Sequence, residues 1–600
     1  MSRLIIISNR LPYSIETVDG KTLLRQSSGG LVSALKSFFD HSGKQASQYT
    51  EKIWVGSADF SQEDWNNASK PNASDSVKIE PVFIDDSTYS DYYNGFSNSV
   101  IWPLFHYFPS VVEYKKEYFE AYTRANAVFA EHLKSVIKPG DTIWIHDYQL
   151  MLLPEMLRTD FPDTSIGFFL HIPFPSYEIF RLLPSSWKKA LIKGTLGADL
   201  IGFHTHDYAQ HFIQTAKMLL GVEHQFNKLQ YNNHLIKVDL FPIGIDYEKF
   251  ASATNDPTIL AFKSEIRQKH EGLQIIFSVD RLDYSKGLMY RLNGYQEFLQ
   301  DYPEWKEKVV FILSLIPSRD AIPAYIDRKK EIEEKISSLN GKFSTLHWQP
   351  IIYRYNHLSY EHLSALYQAA DIALITPLRD GMNLVSKEYV ATTTDQSGVL
   401  ILSEFTGAAS ELNEAVLVNP TDSSEVASAI YQALTMDDAE KKHRMAMMQR
   451  RLRDYDVVRW VTDFLEQLAD IKQEQNKLSV KVLYPATISE IRKKYLNATK
   501  RTILLDYDGT LSPFTRNPAM ARPTEELLRI LTGLCSDGAN EVCIISGRDS
   551  DTLDKWLGHL PIILVAEHGA FIKQKSGYWQ QQSTVLPAWK EEIRPILQLF

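Results

Sequence analysis

Six hundred residues exceed what one hydrophobic core can organise, so two to four domains are expected. A hydrophobic share of 44% with 23% charged residues is ordinary for a globular chain, and a formal net charge of −10 argues against a general nucleic-acid binder. With only Cys535 and Cys543 a disulfide framework is excluded, which points to a reducing, cytoplasmic location.

From the N-terminus, MSRLIIISNRLP has too short an apolar run for a signal peptide, and no later run approaches the ~20 apolar residues that span a bilayer. Short apolar runs then alternate with longer amphipathic segments: LIIIS (4–8), TIWIHD (142–147), SIGFFLHI (165–172), LIGFH (200–204), IIFSVDR (275–281), VVFILSL (309–315), DIALITP (371–377) and VLILS (399–403). Strands apolar on both faces, separated by helix-length segments, predict parallel sheets covered by helices on both sides. The stretch HLIKVDLFPIGID (234–246) reads as the seam between two such sheets, giving two α/β domains with a cleft between them. The charged stretch DIKQEQNKLSVK (470–481) reads as a helix end passing into a linker. A third α/β unit starts near 500, with TILLDYDG, VCIISGR (542–548) and IILVAEHG (562–569) as its first strands.

Polar residues gather at the ends of these strands, where open α/β sheets bind ligands. SNRLP (8–12) and SSGGLVSAL (27–35) place Arg10 and a Gly-Gly pair near a helix start, suited to an anion; a turn glycine pair and a surface arginine compete with that reading. The block YYNGFSNSVIWPLFHY (92–107), with Asp147 in IHDYQL and His171 in LHIPFPS, sets aromatic rings beside polar groups, as sugars require, although a lone strand-end histidine is more often structural. In VDRLDYSKG, Arg281 and Lys286 lie five residues apart across a turn and could clamp a departing diphosphate without a metal; a surface salt-bridge loop is the competing reading. In PLRDGMNLVSKEYVA (377–391), Asp380 sits on a turn leading into a helix, and Glu388 could hold a ribose diol; a helix N-cap with an exposed glutamate is the competing reading. In LLDYDGTLSP (504–513), two aspartates enter a glycine turn, the layout of a phosphoryl acceptor.

SNRLP, GGL, NGFSNSVIWPLFHY, HDYQL, LHIPFP, RLDYSKG, IPSR and PLRDGMNLVSKEYVA, in this order over residues 1 to about 470, closely resemble the trehalose-6-phosphate synthases. The resemblance implies a retaining glycosyltransferase of GT-B fold, two Rossmann-like domains facing a cleft. It would move glucose from a nucleotide sugar, usually UDP-glucose, to glucose 6-phosphate, with no cofactor. It implies an acceptor domain over 1–240, a nucleotide-sugar domain with a terminal crossing helix over 241–475, a linker over 476–499 and a further domain over 500–600. Arg10, Tyr93, Trp102 and Arg319 would hold the acceptor phosphate, and Asp147 its hydroxyls. His171 and the turn Asp380, Gly381, Met382, Asn383 and Leu384 would meet the donor glucose. Arg281 and Lys286 would take the diphosphate, Glu388 the ribose, and Gly30 the donor phosphate side. Another phosphorylated acceptor, such as glycerol 3-phosphate, and a non-catalytic sugar-phosphate-binding subunit are the alternatives; no nucleic-acid or membrane partner is expected, and a homo-oligomer is left open.

DYDGTLSP, ISGR and AEHGA resemble the trehalose-6-phosphate phosphatases of the haloacid dehalogenase superfamily. The resemblance implies Asp506 as nucleophile and Asp508 as acid/base, both at a Mg²⁺ site only where the phosphatase domain is complete, with Ser546 and Arg548 on the phosphoryl group and Glu567 and His568 near the sugar. The later lysine and GDD-type motif of that family have no counterpart after AEHGA, so a partial, inactive phosphatase-like domain is expected.

Overall fold

Strands apolar on both faces can be stable only between two helical layers, and two sheets of this kind organise the first 477 residues. The structure, a computed structural model, describes residues 2–18, 21–26, 30–40, 49–67, 77–232, 234–317, 323–479, 485–513, 515, 518–582 and 594. The chain divides into two compact units, Met1–Lys477 and Leu478–Phe600.

The first sheet runs Lys78–Val82, Tyr49–Ser57, Ser2–Arg10, Thr142–His146, Ser165–Phe169, Leu200–Phe203 and His234–Leu240, all parallel, and ends in the antiparallel strands Lys228–Tyr231 and Glu223–Gln225. The second, all parallel, runs Ile351–Tyr355, Val309–Ile316, Gln274–Arg281, Ile372–Ile375, Val399–Ser403 and Val416–Val418. In each, the first strand in sequence has neighbours on both sides, and the chain fills one side before the other. The crevices between Ser2–Arg10 and Thr142–His146, and between Gln274–Arg281 and Ile372–Ile375, are therefore topological switch points. His234–Leu240 is the last parallel strand of the first sheet, and helix Pro257–Lys269 leads into the second.

The long helix Val457–Ser479 returns to the first sheet. Phe464 stacks on Trp144 with ring centroids 4.5 Å apart. Two strand glycines make room for it: a Cβ at Gly167 would lie 2.6 Å from the Phe464 ring, and one at Gly202 2.8 Å. The helix is pinned further along, where Gln475 Nε2 donates to buried Asp199 (2.8 Å) and to the Leu235 carbonyl (2.7 Å). Helix Lys116–Val136 buries Ala121, Tyr122, Ala125, Phe129 and Leu133 against the opposite face, the spacing of an amphipathic stripe.

The second unit has a five-stranded sheet: Arg501–Asp506, Asn540–Ile545 and Ile563–Ala566 are parallel, followed by antiparallel Phe571–Lys573 and Trp579–Gln581. Helices Glu525–Ser536 and Ser550–Leu557 pack on it through Leu527, Leu531, Leu553 and Leu557. Helix Pro485–Asn497 occupies much of the stretch expected as a linker. Among the described residues no helix is long and apolar enough to cross a membrane.

Candidate active site

Both switch points carry their polar residues at strand carboxyl ends. Arg10 closes its strand, with its guanidinium over the Tyr93 ring (4.7 Å) and Nε donating to the Tyr89 hydroxyl (3.2 Å). Tyr93 comes from a widened π-type helix, Asp91–Ile101, in which Asn98 Nδ2 donates to the Tyr93 carbonyl five residues back (2.8 Å). Arg10, Tyr93, Asp147, Ser8, Trp54 and His146 line a pocket of about 260 Å³. Gly30 opens helix Gly30–Asp40, and Val32 of that helix borders the same pocket. Gly29 and Arg319 lie outside the described residues.

Asp147 follows strand Thr142–His146 with φ 75° and ψ 171°. That unusual backbone turns its carboxylate toward the next strand end, where Oδ1 accepts from the His171 amide (3.2 Å). Burial pushes the carboxyl up to about 7, against the amides of Tyr148 and His171 and the charge of Arg281, which oppose the rise. His171 is kept neutral: burial drives its pKa well below the usual imidazole range, and His204 adds to this.

From the second sheet, exposed Arg281 ends its strand and lies 5.8 Å over the Trp102 ring. Trp102 thus stands beside Arg281, and its indole N–H donates to Asp283 (3.4 Å). Lys286 is buried, and its ammonium meets Asp380 Oδ2 at 2.5 Å. Burial alone would raise the Asp380 carboxyl, but Lys286 and the Asn383 amide outweigh it and hold its pKa below the ordinary value. Asn383, at φ 82°, caps helix Leu384–Thr392 by accepting from the Ser386 amide (2.9 Å), while its Nδ2 donates to Asp380 (3.1 Å). Glu388, one turn into that helix, accepts from the Tyr367 hydroxyl (2.9 Å), and burial raises its pKa. Met382 is buried beneath the turn. Gly381 brings the lobes into contact, since a Cβ there would stand 2.3 Å from the His171 carbonyl oxygen.

Three residues missed in the sequence hold this arrangement. Arg291, fully buried, pairs with Asp280 (2.5 Å), donates to Thr376 Oγ1 (2.9 Å) and reaches the Lys286 carbonyl (3.2 Å), locking the loop that carries the ammonium. Asp283 gathers the Trp102 indole, the Tyr325 hydroxyl (2.8 Å) and the Ser285 amide (2.9 Å). His146 contacts His171 through ring nitrogens 3.1 Å apart. Asp283 lies inside the RLDYSKG motif and His146 beside Asp147, so position was their only signal in the sequence.

In the second unit, Asp506 ends the first strand and accepts from Thr510 Oγ1 (3.2 Å). Gly509, at φ 85°, makes the turn. Arg548 binds Asp508 bidentately, at 2.6 and 2.9 Å. The Glu567 amide donates to the Arg548 carbonyl (3.0 Å) and the His568 amide to the Ser546 carbonyl (3.3 Å), so all six expected residues cluster at one end of the sheet. Both oxygens of Asp508 are occupied by Arg548, and among the described residues no three His, Cys, Asp or Glu side chains converge as a metal site.

Two Rossmann-like lobes of GT-B type, with cations and carboxylates at facing switch points, define a glycosyltransferase. The chain belongs to glycosyltransferase family 20, whose pattern matches residues 2–470, and residues 504–600 match the trehalose-phosphatase family. It is 40% identical, over 100% of its length and 82% of the relative's, to a bifunctional trehalose-6-phosphate synthase/phosphatase of Thermoproteus tenax. Its fold is similar to an E. coli structure described as trehalose-6-phosphate bound with UDP-2-fluoro glucose (TM-score 0.70, 33% identity, 79% of this chain and 99% of that one). It is also similar to an α,α-trehalose-phosphate synthase (UDP-forming) of Burkholderia xenovorans in complex with glucose-6-phosphate (TM-score 0.69, 31% identity, 78% and 100%).

Proposed function

We propose that the first unit transfers glucose from UDP-glucose to glucose 6-phosphate with retention of configuration, forming α,α-trehalose 6-phosphate and UDP. The observation that carries this reading is the pairing of a cation-and-aromatic pocket (Arg10, Tyr93, Asp147) with a cation clamp (Arg281, Lys286) around the lobe contact at His171 and Gly381. Relatives described with a UDP-sugar and with glucose-6-phosphate support it. In this reading Arg10 and Tyr93 hold the acceptor phosphate, with Trp102 and Arg319 completing that end, and Asp147 accepts from the sugar hydroxyls. Arg281 and Lys286 take up the charge that grows on the diphosphate as the anomeric bond breaks. The leaving phosphate oxygen receives the proton of the incoming anomeric hydroxyl on the same face, so no protein carboxylate need attack. Lys286 reaches the diphosphate by exchanging its Asp380 partner, which frees Asp380 for the donor hydroxyls beside the turn Gly381–Leu384, and Glu388 takes the ribose.

UDP release from UDP-glucose with glucose 6-phosphate, and the anomeric configuration of the product by NMR, test the reading. A pocket built around a fixed cation rejects an acceptor without the phosphate, so free glucose is expected to be poorer by roughly 10⁴ in kcat/KM. Comparable rates with both sugars, or release only with glycerol 3-phosphate, would overturn the acceptor assignment; no release with any sugar phosphate would favour a binding subunit.

For the second unit we propose the phosphatase roles of Asp506 and Asp508, with Ser546 and Arg548 at the phosphoryl group and Glu567 and His568 toward the sugar. Because the family's later lysine and GDD-type motif have no counterpart within these residues, a polypeptide of these 600 residues is expected to release no phosphate from trehalose 6-phosphate; clear turnover in a phosphate assay would contradict this.

A further inference from the structure

Between the acceptor pocket and the donor turn stands a column of imidazoles to which the reaction as proposed gives only one task. His146 closes its strand, and His171 and His204 lie just past the ends of the next two strands of the first sheet, with ring centroids 5.3 and 5.4 Å apart. His146 and His204 are buried, at 0% and 2% exposure. His146 Nδ1 lies 3.1 Å from His171 Nε2, while His146 Nε2 is buried with no hydrogen-bond partner among the described residues. Burial holds both rings neutral, so one of the two facing nitrogens carries the hydrogen and the other the lone pair.

The two arrangements differ in what they strand. If His171 Nε2 carried the hydrogen, His146 would carry its own on Nε2, a buried N–H with no acceptor. If His146 Nδ1 carries it, only a lone pair is left unmet at Nε2, and orphaned donors are the rarer of the two in folded proteins. The His171 backbone is already fixed, its amide on Asp147 and its carbonyl against Gly381, so ring rotation and tautomer are the freedoms that remain.

We propose that His146 is a positioning residue for the glucosyl transfer: its Nδ1–H donates to His171 Nε2 and so holds His171 as the Nδ1–H tautomer, presenting one defined ring donor to the hexose. This rests on the transferase reading of the cleft. His146 borders the acceptor pocket, but its side chain is fully buried, so in this role it acts through His171 and not by contact with the acceptor.

The test compares H146N, H146Q and H146F in the full chain, by UDP release with each substrate varied in turn. The amide nitrogen of asparagine falls where imidazole Nδ1 stands, whereas that of glutamine reaches toward Nε2. H146N is expected to keep kcat/KM for UDP-glucose within about threefold of wild type, and H146Q and H146F to lose about tenfold or more, the scale of one hydrogen bond left unmade. The KM for glucose 6-phosphate should move little in all three. Equal losses in the three variants, or wild-type turnover by H146F, overturn the positioning role; should H146F fail to fold, the contrast of H146N with H146Q decides alone. A wild-type chain that turns over while the variants lose activity equally sinks this inference only. A wild-type chain that releases no UDP sinks the transferase reading and this role with it.

Discussion

At Asp147 the backbone occupies a sparsely populated region, a conformation that typically costs about 1–3 kcal/mol and persists only where the surroundings enforce it. The same residue stores an electrostatic tension, because its carboxyl is raised to about 7 by burial. A folded-state pKa above the unfolded one means that the fold favours the protonated form. Its contribution to stability is complete below the ordinary aspartate range, near pH 4, and is lost as pH rises through about 7. The ligand-free wild type should therefore lose thermal stability relative to the non-titrating Asp147→Asn variant between pH 4 and 8. A difference in melting temperature that stays flat across that range would contradict the raised pKa. Asp147 itself was legible in the sequence, since a polar residue closing an apolar strand stands out. Asp283 and Arg291 were not: each acts through partners distant in sequence, Tyr325 and Trp102 for the one and Thr376 for the other, and only folding brings these together.

On the scale of elements, the strands were the most readable feature because a doubly buried parallel strand has no polar face to confuse the pattern. Helix Leu384–Thr392 was likewise visible from its turn, DGMN. The contact of that turn with the first lobe was not visible, because a glycine's reason for being glycine lies in what approaches it. Gly381 meets the His171 carbonyl, and Gly381→Ala would force the two lobes apart or rotate the turn. Overpacking of this kind costs about 1–3 kcal/mol, so a lowered melting temperature and a weakened KM for UDP-glucose are expected together. A variant with unchanged stability and unchanged KM would show that the lobes do not meet through this glycine. The Arg291–Asp280 pair makes a second prediction. Removing one partner of a buried ion pair leaves an unmatched charge at a cost of about 3–5 kcal/mol, so Asp280→Ala should destabilise far more than any exposed pair, as chemical denaturation would reveal.

Across the whole molecule, the two switch points explain why the motifs are scattered over almost 380 positions, from Arg10 to Glu388, yet serve one cleft. Each sheet contributes its strand ends, and helix Val457–Ser479 returns to the first sheet after the second is complete, so the lobes share one hydrophobic core. Motif order carried the fold and the cleft; the pairing of Lys286 with Asp380 lay beyond it, because charge partners 94 positions apart leave no local pattern. The account stands on paired cations discharging a diphosphate-linked glucose. Its most direct test is kcat for UDP release by the Arg281→Ala/Lys286→Ala double variant, with folding checked by melting temperature. Loss of even one such contact typically costs about 10²–10³ in rate, so the double variant is predicted to fall by at least that much while remaining folded. Turnover near the wild-type rate would contradict it.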